Sequence, residues 1–194
     1  MRITGGQAAR RILKVPKGLD VRPTPDLVKQ AVFNSLGSRV ESAQVLELFA
    51  GSGALSLECL SRGATTVMCV EKSHRHAEFI RGNAAAAGFG EMLEIRTQDV
   101  FAVLGQLAES GRQFQLILAD PPYGEKNVNR RSTSFAQQLL DDKNLPGLVA
   151  PGGRLAALTG WPSTTMASQA ASNSVTRRIR SEGAIMFVVS GGWP

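Results

Sequence analysis

Apolar positions in this chain alternate between two rhythms. Short strand-length runs at 45–49, 66–70, 92–96 and 114–119 are bounded by Gly, Ser or charged residues, as buried strands are. Between them, apolar positions recur at helical spacing over 54–62, from the Ser73 cap to residue 87, over 101–110 and over 135–142, with Gly63 and Gly88 placed to close the first two. Strand and helix taking turns predicts an α/β fold around a parallel sheet. Pro151-Gly152-Gly153 reads as a tight turn into a fifth strand at 154–158. Runs at 175–180 and 184–190 are separated by Ser181-Glu182-Gly183, too short for a crossover helix, and predict an antiparallel hairpin.

Ahead of this alternation the pattern differs. Arg2-Ile3-Thr4 and residues 11–15 flank Gly5-Gly6 and predict two short strands joined by a glycine turn. Thr24 is placed to cap a helix whose first position is Pro25, with Asp26 at the positive end of its dipole. Leu27, Val28, Ala31, Val32, Ser35 and Leu36 then recur at helical spacing up to Gly37. Charge marks the same boundary. Residues 1–40 hold eight basic side chains and two acids, which accounts for the whole net charge of +6; residues 41–194 are balanced. A neutral body with a basic arm points to a polyanionic partner, and Arg2, Arg10, Arg11, Lys14 and Arg22 are placed to meet it. The expected organisation is a basic extension, 1–40, on a catalytic domain, 41–194.

The 194 residues give room for one domain with a sizeable core. No apolar run is long enough to span a bilayer, and residues 1–6 have no signal-peptide core. Cys59 and Cys69 lie in apolar segments and read as buried thiols. The expected setting is the cytoplasm, as a monomer, with no metal and no membrane. His74 and His76, two apart, fall on different helix faces and read as exposed. Trp161-Pro162 reads as core packing and Trp193-Pro194 as a chain terminus.

The most specific chemistry is Asp120-Pro121-Pro122-Tyr123, directly after the run at 114–119. Two prolines fix the backbone and offer no donor of their own. An acid and a nearby carbonyl can then accept both hydrogens of an exocyclic amine, while the tyrosine stacks on the base that carries it. Earlier, Leu48-Phe49-Ala50-Gly51-Ser52-Gly53 is a strand end and a glycine turn, where Gly51 and Gly53 let a ligand approach the backbone. The third glycine of a dinucleotide fingerprint is missing. Glu47 adds negative charge beneath the turn, unsuited to phosphates and suited to a sulfonium. Glu71 ends the second strand, where an acid accepts from ribose hydroxyls. Asp99, after the third, is placed for an adenine amine or, equally, for a helix N-cap. Val100 and Phe101 are placed to line the ring, and Phe49 and Lys72 belong with the same set. S-adenosylmethionine fits this pocket.

These residues make the chain resemble the RsmD-type 16S ribosomal RNA guanine-N2 methyltransferases, which act on guanine 966 of that RNA. Arg2-Ile3-Thr4-Gly5-Gly6, Arg22-Pro23-Thr24-Pro25-Asp26, Phe33-Asn34-Ser35-Leu36 and the glycine turn are the specific marks; Asp120-Pro121-Pro122-Tyr123 is shared more widely. The resemblance implies a class I methyltransferase (Rossmann-like) fold, with seven strands mostly parallel and the last hairpin antiparallel. It implies S-adenosylmethionine as cofactor and 16S rRNA in the 30S subunit or its assembly intermediate as partner. The family's cofactor positions fall on Glu47, Gly51, Gly53, Glu71 and Asp99, and its amine-binding motif on Asp120, Pro121, Pro122 and Tyr123. Ala9 stands where relatives usually have glycine, Glu47 where they more often have aspartate, and Leu158-Thr159-Gly160 where they often have an acid. Rival readings are a DNA adenine-N6 methyltransferase, which the missing target-recognition domain counts against, and a non-catalytic RNA-binding module, which the intact acids count against. A nicotinamide oxidoreductase is a distant third, with too few glycines for the phosphates.

Overall fold

Period-two alternation along the strands divides the core into two layers. Val45, Leu116 and Leu118 face one side of the sheet, with Val28, Val32, Phe33, Leu36, Leu55 and Leu60 packed over them. Leu46, Leu48, Ile117 and Ala119 face the other, under Val103, Leu104, Leu107 and Leu139. Strands buried on both faces need near-continuous apolar sequence, which explains the runs at 45–48, 66–70 and 114–119, while the edge strand at 93–96 is only half buried. The computed structural model describes residues 1–15, 24–122, 134–159, 175–181 and 184–190.

Helices α1 (Asp26–Leu36), α2 (Ala54–Ser61) and α3 (His74–Ala87) alternate with strands β1 (Gln44–Leu48), β2 (Thr66–Val70) and β3 (Leu93–Arg96). Then follow α4 (Val100–Glu109), β4 (Phe114–Ala119), α5 (Phe135–Leu140), β5 (Val149–Thr159), β6 (Val175–Ser181) and β7 (Ala184–Ser190). The sheet order is β3-β2-β1-β4-β5-β7-β6. Strands β1 to β5 pair in parallel and form the body of the sheet; β7 pairs antiparallel with both β5 and β6. No helix among the described residues is long and apolar enough to cross a membrane.

Three local expectations are corrected. The N-terminal ribbon is short: Arg2 bridges Ile12, the Ile3 N–H donates to the Arg11 carbonyl at 3.0 Å and the Leu13 N–H to the Met1 carbonyl at 3.0 Å. In place of a tight glycine turn, the loop between its two sides docks on the body. The Gln7 N–H donates to the Ser61 carbonyl at 2.7 Å and the Ala8 N–H to Ser61 Oγ at 2.9 Å, while the Thr4 N–H and hydroxyl both donate to Glu58 at 2.8 Å. Gly6 makes this docking fit: its φ is +77°, and a Cβ there would lie 1.8 Å from the Ser61 carbonyl oxygen. Ile3 and Leu13 are buried in the same layer as α1 and α2.

Thr24 does not cap α1. Pro25 occupies the cap position with no side-chain hydrogen bond, and the Thr24 hydroxyl is used elsewhere. Pro151-Gly152-Gly153 is not a turn before β5 but an irregularity inside it, since the pairing slips between Phe114 with Val149 and Leu116 with Arg154. Two glycines in sequence read as a turn, yet they also let a strand bulge against its neighbour.

Candidate active site

Register brings the chemistry together. Leu48 pairs with Val70 on one side and Ala119 on the other, so Phe49, Glu71 and Asp120 leave the sheet at one level. β1 lies between β2 and β4, the point where successive connections run to opposite sides and where open parallel sheets bind ligands.

The glycine turn leaves β1 in left-handed conformations: φ is 60° at Phe49, 55° at Gly51 and 72° at Gly53. For a bulky residue such as Phe49 that conformation is strained, and the surrounding bonds must hold it. The Ala50 N–H donates to the Val70 carbonyl at 2.9 Å and the Gly53 N–H to the Ala50 carbonyl at 2.7 Å. A Cβ on Gly53 would meet Ile80 Cγ2 at 2.9 Å, so glycine also allows α3 to close against the turn.

Glu71 ties this turn to β2. It accepts from the Gly51 N–H at 2.7 Å and the Ser73 N–H at 2.8 Å. His76 Nδ1 stands 3.4 Å from its Oε1. The expectation that both histidines are exposed is corrected here: His74 is exposed, but His76 is buried behind Glu71. Its helix face turns inward because Ala77 and Ile80, beside it, belong to the core.

Asp99 accepts from the Phe101 N–H at 3.0 Å, capping α4, and its other oxygen lies 3.6 Å from Lys72 Nζ. It remains half exposed at the end of β3, beside buried Val100 and half-buried Phe101. Glu47 is placed differently from the sequence reading. It is buried, and Oε2 accepts from the Ser56 N–H at 2.8 Å and from the Ser56 hydroxyl. Burial pushes its carboxyl up to about 8, with Asp120 and Glu71 adding repulsion. At neutral pH it is therefore largely uncharged, a support for the start of α2 rather than an exposed negative charge.

Asp120 follows β4, its N–H directed to the Leu48 carbonyl at 3.4 Å. Burial pushes its carboxyl above the usual aspartate range, opposed by one hydrogen bond from the Thr24 hydroxyl to Oδ2 at 2.6 Å. Pro121 is buried and Pro122 exposed. Tyr123 lies outside the described residues, as do the segment 124–133, Trp161-Pro162 and Trp193-Pro194.

Sequence reasoning missed an aromatic cluster over this edge. Phe49 lies 6.3 Å from Phe101 and 5.8 Å from Phe135, and Phe101 stacks on Phe135 at 6.4 Å. The rings come from the ends of β1, the start of α4 and the start of α5. Phe135 keeps 42% of its surface exposed. Its signal was a large ring at the first position of the helix following the proline motif.

Of the basic set, Arg10, Arg11 and Lys14 present exposed side chains. Arg2 is partly committed, pairing with Asp26 at 2.9 Å. Arg22 lies outside the described residues.

Residues 1–146 match the family model described as Conserved hypothetical protein 95. YlbH of Bacillus subtilis, which carries an rRNA methyltransferase name, is 31% identical over 143 residues, covering 73% of this chain and 78% of its own. The ribosomal RNA small subunit methyltransferase D of Escherichia coli is 35% identical over 123 residues, covering 63% of this chain and 60% of its own. The solved structure of yhhF from Escherichia coli, which carries a methyltransferase name, superposes with a TM-score of 0.77 at 28% identity, over 100% of this chain and 99% of that one.

Proposed function

The chain belongs to the conserved hypothetical protein 95 family, that of the RsmD-type rRNA methyltransferases, and from that premise we propose that it methylates the exocyclic N2 amine of a guanine in 16S rRNA. It is an S-adenosylmethionine-dependent rRNA methyltransferase, of class I fold with a seven-stranded sheet. The observation that carries the reading is the register placing Asp120 one strand from the glycine turn, through the pairing of Leu48 with Ala119.

The residues fit the cofactor by their chemistry. Gly51 and Gly53 offer bare backbone, Glu71 and Asp99 offer acceptors at the two ends expected for a nucleoside, and Val100 and Phe101 offer an apolar wall. Phe49 and Lys72 flank that set, and Glu47 supports it from beneath. When bound, S-adenosylmethionine supplies an already activated methyl group.

What remains for the chain is alignment, worth roughly 7–11 kcal/mol of barrier when complete. Asp120 accepts a hydrogen of the guanine amine and steadies the positive charge that grows on nitrogen. Pro121 and Pro122 hold the adjoining backbone so that a carbonyl accepts a hydrogen bond from the second amine N–H. Tyr123 stacks on the base, which leaves its neighbours or already lies in a loop. The basic residues Arg2, Arg10, Arg11, Lys14 and Arg22, in the extension 1–40, hold the RNA backbone while residues 41–194 carry the reaction. The protein works as a monomer in the cytoplasm, on the 30S subunit or its assembly intermediate.

The test is Asp120→Ala, assayed by transfer of labelled methyl to 30S subunits lacking the modification, with duplex DNA as a second substrate. Loss of at least a hundredfold in kcat, on 30S only, is expected. Wild-type activity in the variant rejects the clamp, and labelling of DNA adenine moves the protein to the rival class.

A further inference from the structure

We infer that Thr24 is a positioning residue for Asp120, holding its carboxylate so that Oδ1 is presented to the substrate amine; this rests on the clamp role given to Asp120 above. The two residues are 96 positions apart, yet the Thr24 hydroxyl donates to Oδ2 at 2.6 Å. Oδ1 receives no hydrogen bond from any described residue. Among the described residues, one oxygen is therefore held and its partner is open to a ligand.

A lone aspartate would not hold that pose. Its terminal torsion is broad and roughly two-fold, so without a partner the carboxylate swings and the amine meets it at varying angles. A hydrogen bond to an ionised oxygen is among the stronger ones and is favoured further in a partly buried site. Thr24 suits the task because a β-branched side chain has a stiff first torsion, and the pyrrolidine ring of Pro25 restricts the backbone before it. Its hydroxyl is free for this work since it caps nothing in α1.

The basic arm is fastened to the first turn of α1, two residues from Thr24. Asp26, two residues on, pairs with Arg2 at 2.9 Å and with Lys29 at 3.1 Å. Lys29 is fully buried, and its ammonium also donates to the Arg2 carbonyl. The chain of contacts runs from Arg2 through the first turn of α1 to Thr24 and on to Asp120. The arm proposed to meet the RNA is thus tied, through the first turn of α1, to the segment that carries Thr24.

Three variants test this in the full-length protein, with S-adenosylmethionine and unmodified 30S subunits. Thr24→Val keeps the shape and removes the hydroxyl, Thr24→Ala removes it without the valine's bulk, and Thr24→Ser restores it. Both hydroxyl-free variants are expected to lose about 10–100-fold in kcat, the worth of one hydrogen bond to a charged group. Their KM for 30S and their calorimetric Kd for S-adenosylmethionine stay within about twofold of wild type. Thr24→Ser recovers most of kcat. Wild-type kcat in either hydroxyl-free variant, a loss borne by KM or Kd instead, or a serine variant as slow as valine overturns the inference. If Asp120→Ala itself stays active, the clamp reading has failed; if it is inactive while Thr24→Val is not, only the present inference has.

Discussion

The backbone N–H of Gly51 donates to Oε2 of Glu71 at 2.7 Å, so the turn that ends β1 is fastened to the acid that ends β2. Glu71 also accepts from Ser73 at 2.8 Å, and one side chain thereby fastens both the turn after β1 and the start of α3. Glu71→Ala releases two backbone donors and the turn they anchor. We expect about 1.5–3 kcal/mol of lost cofactor binding, read as a tenfold or greater rise in the calorimetric Kd for S-adenosylmethionine. Glu71→Gln, which still accepts one of the two bonds, should fall between.

Glu47 gives the fold a pH dependence of definite sign. Its carboxyl is raised from 4.5 to about 8 by burial, so between those values the folded chain holds a proton that the unfolded chain has lost. Stability contributed by this group is complete below about 4.5 and is lost as pH rises, by at most about 1.4 kcal/mol per pH unit. Glu47→Gln keeps the shape and removes the ionisation. In urea unfolding at pH 5 and pH 8.5, the variant should gain on wild type as pH rises; parallel behaviour at both pH values would reject the assignment.

Gly6→Ala should loosen the arm. A Cβ there lies 1.8 Å from a backbone oxygen, in a left-handed conformation, so neither a rotamer change nor a small shift accommodates it. The two penalties together amount to about 2–4 kcal/mol. Hydrogen exchange at Gln7 and Ala8, whose N–H groups donate to Ser61, should quicken in the variant and stay slow in wild type.

Arg10 and Arg11 are exposed beside the docked segment. Replacing both by alanine should weaken binding to 16S rRNA fragments and flatten the dependence of log K on log salt by roughly 1–2, the contribution of two phosphate contacts. An unchanged salt slope would remove them from the RNA surface.

The strands and most helix ends were legible because each follows from neighbours in sequence. Phe114–Ala119 is apolar except for exposed Gln115, because the rest of it is covered on both faces, and Ser73 and Asp99 cap the helices they precede. What escaped reading depends on partners far along the chain. Thr24 looks like a cap by local rules, and its partner is 96 residues away. Glu47 looks like a pocket charge until Ser56 and burial claim it. His76 looks exposed until Glu71 is placed beside it. Acids at strand ends could be listed from sequence, but which oxygen is occupied and which is offered is a tertiary fact.

Ile3 and Leu13 sit in the same apolar layer as α1 and α2. A shortened protein made by cutting away the first fifteen residues would leave an open wound in the interior rather than a leaner enzyme. The exposed arginines proposed to meet RNA and two residues of the interior thus share one stretch of chain, and retargeting the protein by grafting a different leading segment would have to rebuild that part of the interior as well.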